Sequence, residues 1–488
     1  MSETQTFALL LALVAAVGLA AVLSHRLTDR IRVPAPLLVF VVAAAAVNLV
    51  PQLHEPPSQT VERLVTLALI CILFDGGLQI GWTRFRAAAA PIVVVGVAGT
   101  FLTVAAAAVF IHLALGLAWY LSMLVATAIA PTDPAVVFSV LGQREIAGRS
   151  GTVLEGESGA NDPVGIALMT SLIAARELST GALAHIGAEF ALQMLVGAAV
   201  GVVGGRALLW FMRAVSLPHE GLYPLRTAAS ALLLFGVATL AHGSGFLAVF
   251  VAGIMLGDSR APYKREIERF HSALASVGEI VAFVVLGLTV DLAELARVDV
   301  WLPGVCIAAA LAVVIRPVLV GLCLLPARLQ TNERNFVLFA GLKGAVPILL
   351  GSFMLSAGVA DGKRLYGVVV VVVIVSVLVQ GSLVPTVASM LSVPMRAVGQ
   401  APWSVGVRLG AEPEGVHRFT LGTDSPAIGH RIDDLPMLPE DAWISLVVRD
   451  DTLLPARGHH TLAAGDELLV LADPELDDVL HEVFTPPL

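Results

Sequence analysis

Residues 130–134 read Ala-Pro-Thr-Asp-Pro and interrupt an apolar stretch that runs from residue 118 to residue 142. The prolines on both sides of Asp133 remove two backbone donors and disfavour helical backbone at the residues before them. The stretch is long enough to cross a bilayer, so we expect a membrane helix that is broken near its middle. Membranes tolerate the exposed carbonyls and half-helix ends of such a break only inside protein or beside a cavity.

Apolar segments of similar length follow one another from Phe7 to about Leu391. A bilayer-crossing helix needs about 20 mostly apolar residues, and this criterion predicts thirteen spans. The chain is 57% apolar and only 14% charged, where soluble domains usually carry roughly 25% charged residues. We therefore expect a polytopic α-helical membrane protein. The predicted spans are 5–24, 34–51, 61–80, 88–115, 118–142, 152–175, 186–212, 224–241, 244–258, 272–290, 300–325, 335–358 and 365–391.

The cations of the loops predict the orientation of these spans. If the first residue lies outside, sixteen Lys and Arg fall in loops on the cytoplasmic side and five in the opposite loops. This positive-inside bias places the amino terminus outside and the carboxy-terminal tail in the cytoplasm. The first apolar run follows Glu3 with no Lys or Arg before it, so we expect a span and not a cleaved signal peptide.

The composition changes at about Pro402. The last 89 residues carry 5 Lys and Arg against 16 Asp and Glu, whereas the preceding part carries 24 against 22. Apolar runs of strand length, Trp443–Val448 and Glu467–Leu471, alternate with acidic turn residues. We predict a transmembrane domain over residues 1–395 and a small cytoplasmic α+β domain over 402–488. The acidic balance argues against nucleic acid as a partner, because binding to nucleic acid needs clustered cations.

Ten ionisable residues lie inside the predicted spans, where each costs at least about 2.5 kcal/mol unless it is paired, faces a cavity or lies near a helix end. Glu189, Arg206 and Glu279 lie near predicted ends, and we expect them to be interfacial or structural. For Asp75, a structural pair and a transport role both remain open. The other six are Asp133, Glu155, Glu157, Asp162, Arg316 and Lys343.

Residues 154–163 on the next span read Leu-Glu-Gly-Glu-Ser-Gly-Ala-Asn-Asp-Pro. Glu157 and Asn161 share one helix face at i and i+4, and Ser158 and Asp162 share the adjacent face. Carboxylates from this helix and from the broken helix can therefore converge with other oxygen ligands. The predicted ion-binding residues are Asp162, Asp133, Thr132, Ser158 and Asn161.

A second broken helix is predicted at residues 341–347, Gly-Leu-Lys-Gly-Ala-Val-Pro. Asp133 lies on the fifth span and Lys343 on the twelfth, a separation that two inverted six-helix repeats with one linking helix would give. We expect structural ion pairs of Glu157 with Arg316 and of Asp133 with Lys343. These pairs leave Asp162 as the single titrating ligand.

A confined carboxylate can hold a proton or a metal cation but not both, because dehydration favours the neutral form and nearby cations favour the ionised one. If the cavity opens to one side at a time, competition at Asp162 couples the two fluxes. Oxygen ligands suit an alkali cation, and we expect no cofactor and no other metal. One carboxylate that exchanges one proton for one monovalent cation predicts electroneutral exchange.

The membrane region resembles the monovalent cation/proton antiporter superfamily, specifically its NhaP-like branch. The resemblance implies thirteen helices, two crossed broken helices, a homodimer, and ion binding centred on Asp162 with contributions from Thr132, Asp133 and Ser158. It also implies a pair between Glu157 and Arg316. The resemblance rests on Thr132-Asp133-Pro134, on 157–162, on Ile315-Arg316-Pro317 and on 341–346.

Residues 419–471 resemble the TrkA carboxy-terminal regulatory domain, through motifs such as 425–429 (Ser-Pro-Ala-Ile-Gly) and 464–467 (Ala-Gly-Asp-Glu). This domain in this position implies the potassium/proton antiporter subgroup of the bacterial cytoplasmic membrane. It implies control by a small ligand, for which a nucleotide is one candidate, or by dimerisation. His459 and His460 are expected to form a solvated turn and not a metal site.

Two other classes of protein compete with an exchanger. A ligand-gated potassium channel can carry a regulatory tail of this kind, but channel filters use runs such as TVGYG, and the sequence has none. An enzyme is disfavoured because Gly156-Glu157-Ser158-Gly159 is not a GxSxG motif and no HExxH occurs. Potassium and sodium both remain open as the transported cation, alongside the proton.

Overall fold

The computed structural model describes Leu19, residues 35–49, residues 56–397 except 142–143, 147–148, 260 and 328, and most of residues 415–485. In the last stretch, residues 436–437, 440, 450–451, 455, 457 and 474–475 are not described. The chain divides into two compact units, residues 1–398 and 399–488. The first span predicted, 5–24, lies outside the described residues apart from Leu19.

The first unit is almost entirely helical. Seven helical segments of its described residues are long and apolar enough to cross a membrane, and three shorter apolar helices accompany them. Each of the other twelve predicted spans overlaps a helix, so the polytopic helical architecture is confirmed. In chain order the helices are Ala35–Leu49, Ser58–Val93, Thr100–Leu115, Trp119–Ile129, Pro134–Leu141, Arg149–Ala175, Thr180–Ala214, Leu222–Leu240, Gly245–Gly257, Lys264–Gly287, Leu292–Leu295, Val298–Ala310, Arg316–Cys323, Thr331–Phe339, Ala345–Ser356, Gly362–Val375 and Ser382–Met390.

Three π-helical segments, Val94–Gly99, Leu311–Ile315 and Ser376–Gly381, join neighbouring helices of this unit into longer ones. A helical run therefore extends from Ser58 to Leu115, but its backbone is not helical at Gly81, where φ is 65° and ψ is 166°. Glycine adopts a positive φ without the steric penalty of a side chain. The run is thus divided at the loop that the sequence predicts between residues 80 and 88.

The helix Arg149–Ala175 is absent from the seven long apolar segments because polar residues occupy its first half. Most of its residues between Ser150 and Leu172 are nevertheless buried. Other helices surround it, so its polar side chains meet protein and not lipid. This burial is what allows a helix with two glutamates and an aspartate to lie inside a membrane protein.

The helices of the first unit pack in two groups. The first helix group consists of Ala35–Leu49, residues 58–80, Thr180–Ala214, Leu222–Leu240, Gly245–Gly257 and Lys264–Gly287. The second helix group consists of residues 82–115, Trp119–Leu141, Arg149–Ala175, Val298–Cys323, residues 331–356 and Gly362–Met390. Its helix Arg149–Ala175 also contacts Thr180–Ala214 and Gly245–Gly257 of the first group.

The second unit contains an antiparallel sheet of four strands in the order Val416–Thr420, Glu467–Leu471, Trp443–Arg449 and Thr452–Leu454. The helix Asp477–Phe484 covers this sheet, and Phe484 and Leu480 are fully buried. The carboxylate of Asp466, also fully buried, accepts two hydrogen bonds of 2.7 Å from Arg449. The α+β class and the two predicted strands are confirmed.

Candidate transport site

Two broken helices of the second helix group cross at the centre of the site. The first ends at Ile129 and resumes at Pro134, and the second ends at Phe339 and resumes at Ala345. The backbone N–H of Asp133 donates a hydrogen bond of 2.8 Å to the carbonyl of Leu342. Both predicted breaks are therefore present, and their irregular segments satisfy each other's backbone groups, as a low-dielectric environment requires.

The carboxylate of Asp133 lies at the amino-terminal ends of two half-helices. Its Oδ1 accepts a hydrogen bond of 2.9 Å from the N–H of Ala135. The second half-helix approaches so closely that a Cβ atom on Gly344 would lie 1.9 Å from Oδ2 of Asp133, and only glycine fits there. A negative charge at two helix amino termini is favourable because the unpaired N–H groups carry partial positive charge.

Lys343 does not pair with Asp133, which corrects the prediction. Its ammonium nitrogen donates to the carbonyls of Ala130 at 2.9 Å and Pro131 at 3.1 Å. The helix break leaves these carbonyls without helical partners, and a compact ammonium with three donors satisfies two of them. Lys343 thus places a positive charge at the carboxy-terminal end of one half-helix. Asp133 places a negative charge at the amino-terminal ends of two others.

The ion pair between Glu157 and Arg316 is confirmed. The guanidinium donates two hydrogen bonds to the carboxylate, 2.7 Å from Nη1 and 3.0 Å from Nη2. Arg316 also donates to the carbonyls of Leu338 and Val337, which precede the second break. Both charged residues are buried, and this set of bonds supplies the partners that a buried ion pair needs.

Thr132 and Asn161 lie beside that ion pair and do not line the cavity that Asp162 faces. The Thr132 hydroxyl donates to Glu157 at 3.3 Å and accepts from the Asn161 amide at 2.8 Å. The Asn161 side-chain oxygen faces the Thr132 N–H at 3.4 Å. Their side chains therefore brace the first break, and their predicted role in ion binding stays a prediction.

Asp162 and Ser158 face the other way, as the i, i+4 pattern predicts. Both line a cavity of about 280 Å³, which Asp133 also lines. Asp162 is 7% exposed, and its Oδ1 has no hydrogen-bond partner among the described residues. Lys343 lies within electrostatic range of this carboxylate without forming an ion pair with it. The cavity therefore brings together Asp162, Asp133 and Ser158 and leaves one carboxylate oxygen available to a ligand.

Helices of the first helix group also line this cavity. Asp75 is buried there and accepts a hydrogen bond of 2.6 Å from Gln79. Glu279 lines this cavity too, and the prediction that it lies near a helix end is wrong. The predicted helix begins at residue 272, whereas the observed helix begins at Lys264, so Glu279 lies well inside it.

Ser376 and Gln380 support the second break, although no motif in the sequence points to them. The hydroxyl of Ser376 accepts a hydrogen bond of 3.2 Å from the N–H of Lys343 and donates to Gln380 at 2.8 Å. These residues hold the second break from the π-helical segment Ser376–Gly381. Glu189 lies 3.8 Å from His185, and Arg206 is exposed; the interfacial or structural role of both stays a prediction.

Two family models match the chain. One, described as sodium/hydrogen exchanger, transmembrane, matches residues 10–389. The other, the TrkA-C domain, matches residues 416–482. The two matched regions fall one in each compact unit.

The chain is similar to several named proteins. The K⁺/H⁺ antiporter NhaP of Alkalimonas amylolytica is 34% identical over 423 residues, which cover 85% of this chain and 73% of that protein. The K⁺/H⁺ antiporter NhaP2 of Shewanella oneidensis is 33% identical over 429 residues, with 86% and 73% covered. The solved structure of the sodium proton antiporter MjNhaP1 of Methanocaldococcus jannaschii matches the fold with a TM-score of 0.66 at 20% identity, covering 80% of this chain and 100% of that one.

Proposed function

The chain belongs to the sodium/hydrogen exchanger family, and we propose that it is a secondary antiporter that exchanges K⁺ or Na⁺ for protons across the cytoplasmic membrane. The TrkA-C domain that follows the membrane unit regulates this exchange. Its relatives NhaP and NhaP2 are named as K⁺/H⁺ antiporters. The protein is a transporter of the membrane and not an enzyme.

The observation that carries the proposal is the state of the Asp162 carboxylate. It is buried at the crossing of two broken helices, faces a cavity, and has one oxygen without a hydrogen-bond partner. An ionised carboxylate in this place requires a cation, and a neutral one requires a proton. Asp162 therefore holds one or the other, and this competition is the coupling step of exchange.

The remaining site residues take different roles. Ser158 supplies a neutral oxygen to the cation, and Asp133 adds negative potential from beside the cavity while it caps two half-helices. Thr132 and Asn161 position the first break, and Glu157 with Arg316 fixes the second break against it. Asp75, which lines the same cavity, is a further cation-attracting group. All six distances that support these roles lie between 2.6 and 3.3 Å.

The cavity lies in the half of the membrane that we propose to be cytoplasmic. Its residues Glu155 and Ser158 lie close after the helix start at Arg149, and Ser272 lies close after Lys264. Asp75 and Gln79 precede the break at Gly81. Arginines and lysines concentrate at these ends, and the positive-inside rule assigns such ends to the cytoplasm, with the amino terminus outside.

We also propose thirteen spans in two inverted repeats, and a homodimer. The two breaks support the repeats, because each interrupts a helix of the second group and each bears a charged residue next to its glycine or prolines. The tail domain is the proposed receiver of a small ligand such as a nucleotide. Exchange through the single competing carboxylate Asp162 would be electroneutral.

A test uses the full-length protein in proteoliposomes with an internal pH dye. An outward cation gradient of K⁺, Na⁺ or Li⁺ should drive proton entry at a saturable rate, and the ranking of the three cations gives the selectivity. Clamping the membrane potential with valinomycin should leave a Na⁺-driven steady state unchanged if exchange is electroneutral. Passive cation conductance in a planar bilayer without proton coupling would instead identify a channel.

A further inference from the structure

Three side chains of the helix Lys264–Gly287 line the same cavity as Asp162. Ser272, Ser276 and Glu279 lie at i, i+4 and i+7, which places them on one helix face, and all three line the cavity. The roles proposed above use none of them. They belong to the first helix group, whereas Asp162 and Asp133 belong to the second.

Glu279 is in the same chemical situation as Asp162. Its Oε1 is shielded from solvent and has no hydrogen-bond partner among the described residues. None of the ion pairs among the described residues includes it. Asp133 lies within electrostatic range of it across the cavity. A carboxylate inside a membrane protein that lacks a protein partner must bind a proton or a cation.

The neighbouring serines add neutral oxygen ligands to this helix face. The Ser276 hydroxyl donates its hydrogen to the Ser272 carbonyl at 3.0 Å, so its lone pairs point away from that bond and can face a cation. Carboxylate and hydroxyl oxygens are hard ligands that suit alkali cations. This helix face therefore presents one negative charge and oxygen dipoles to the cavity that Asp162 also lines.

We propose that Glu279 is a second cation-binding carboxylate of the transport cavity, which takes up the alkali cation on its way between the cytoplasm and Asp162. The proposal rests on the proposed exchange function. Alternating access moves one group of helices against the other around the site. Glu279 and Asp162 are on different helix groups. Glu279 therefore serves cations that enter from the cytoplasmic side, where this cavity lies, and not cations that enter from the external side.

This assignment predicts an effect that depends on the side of the membrane. A carboxylate at the mouth of a confined site raises the local cation concentration. Glu279→Gln should raise the half-saturating K⁺ or Na⁺ concentration at the cytoplasmic face by about five- to tenfold. The same constant at the external face should stay within about twofold of wild type.

The experiment compares everted vesicles, which expose the cytoplasmic face, with right-side-out vesicles from the same cells that express the full chain. Cation-driven proton movement is titrated with K⁺ and with Na⁺ for wild type, Glu279→Gln and Glu279→Asp. Glu189→Gln is the matched control, because Glu189 is another carboxylate of the membrane unit but does not line the cavity. Ser276→Ala tests the same helix face without a charge change.

A one-sided shift in Glu279→Gln that Glu279→Asp largely restores, with Glu189→Gln unchanged, supports the proposal. A smaller shift on the same side in Ser276→Ala supports it as well, and carries the test if Glu279→Gln is not inserted. Unchanged constants on both faces overturn the proposal, and so does an equal loss on both faces. If wild type itself shows no cation-driven proton movement, the exchange function fails, an outcome that is distinct from failure of the Glu279 assignment.

Discussion

Two carboxylates of one helix, Glu157 and Asp162, lie only five positions apart and have opposite surroundings. Both oxygens of Glu157 receive hydrogen bonds from Arg316, and Thr132 adds another. Asp162 faces the cavity, and its Oδ1 has no partner among the described residues. Glu157 is therefore held by a full set of hydrogen bonds, whereas Asp162 keeps one oxygen available to a ligand.

The difference shows how one helix of a membrane protein can carry a carboxylate that is fully paired and another that stays open to a ligand. A fully bonded carboxylate such as Glu157 stabilises the crossing of the broken helices, because its partners offset the cost of burial. An incompletely bonded one such as Asp162 has binding capacity left for a cation or a proton. We propose that the number of satisfied oxygens, and not burial alone, separates the structural acid Glu157 from the transporting acid Asp162.

The sharpest test of this comparison is Asp162→Asn, which keeps the shape of the side chain and removes its charge. We expect cation-driven proton movement in proteoliposomes to fall to the level of protein-free liposomes, because an amide cannot exchange a proton for a cation. The melting temperature in detergent should stay close to that of wild type. Retained exchange would remove Asp162 from the mechanism.

Arg316→Met tests the other carboxylate of the comparison, Glu157. This change leaves the Glu157 carboxylate buried without its cation and should destabilise the protein by about 3–5 kcal/mol. Thermal unfolding in detergent measures the loss, and Arg213→Met, at an exposed position, is the control. The double variant Glu157→Gln/Arg316→Met should recover much of the stability, and no recovery would contradict a pairwise interaction.

Thr132→Val tests whether this residue braces the break or binds the ion through its side chain. Loss of the hydroxyl leaves Asn161 and Glu157 each with one hydrogen bond fewer, at a cost of about 1–3 kcal/mol. The melting temperature should fall while the half-saturating cation concentration changes little. Thr239→Val removes an exposed threonine hydroxyl and should have a negligible effect; a large change in cation affinity in Thr132→Val would make Thr132 a ligand.

Ser158→Ala should have the smallest effect. In contrast to Thr132→Val, it should change the cation affinity and leave the stability unchanged. Removing one neutral cavity oxygen should raise the half-saturating cation concentration about three- to tenfold, equivalent to about 0.6–1.4 kcal/mol. Stability should remain near wild type, since among the described residues no hydrogen bond to this hydroxyl is present. Ser171→Ala, a buried serine of the same helix that contacts Gln193, is the control.

Local sequence rules located the breaks and the faces of the site helix. Two prolines around Asp133 and two glycines beside Lys343 disfavour helical backbone within the segments themselves, so both breaks could be predicted locally. The i, i+4 spacing correctly separated Glu157 and Asn161 from Ser158 and Asp162, because helix geometry alone sets that division. The pair of Glu157 with Arg316 was also predicted, since a buried carboxylate needs a cation.

The partners of Lys343 and the position of Glu279 were not predictable in the same way. Lys343 donates hydrogen bonds to two backbone carbonyls. Its choice of these carbonyls depends on how the two broken helices cross. Glu279 becomes a cavity residue because its helix begins eight residues earlier than its apolar stretch and packs against the second group.

The amino-acid sequence by itself determined the membrane helices, the two breaks, the soluble tail and the set of acids that had to be explained. Only the tertiary structure decided which of those acids are fully hydrogen-bonded and which face open space. The physical reason is that helix formation depends on near neighbours in the chain. The hydrogen bonds of a buried charge instead depend on atoms that are distant in sequence, as Glu157 and Arg316 are.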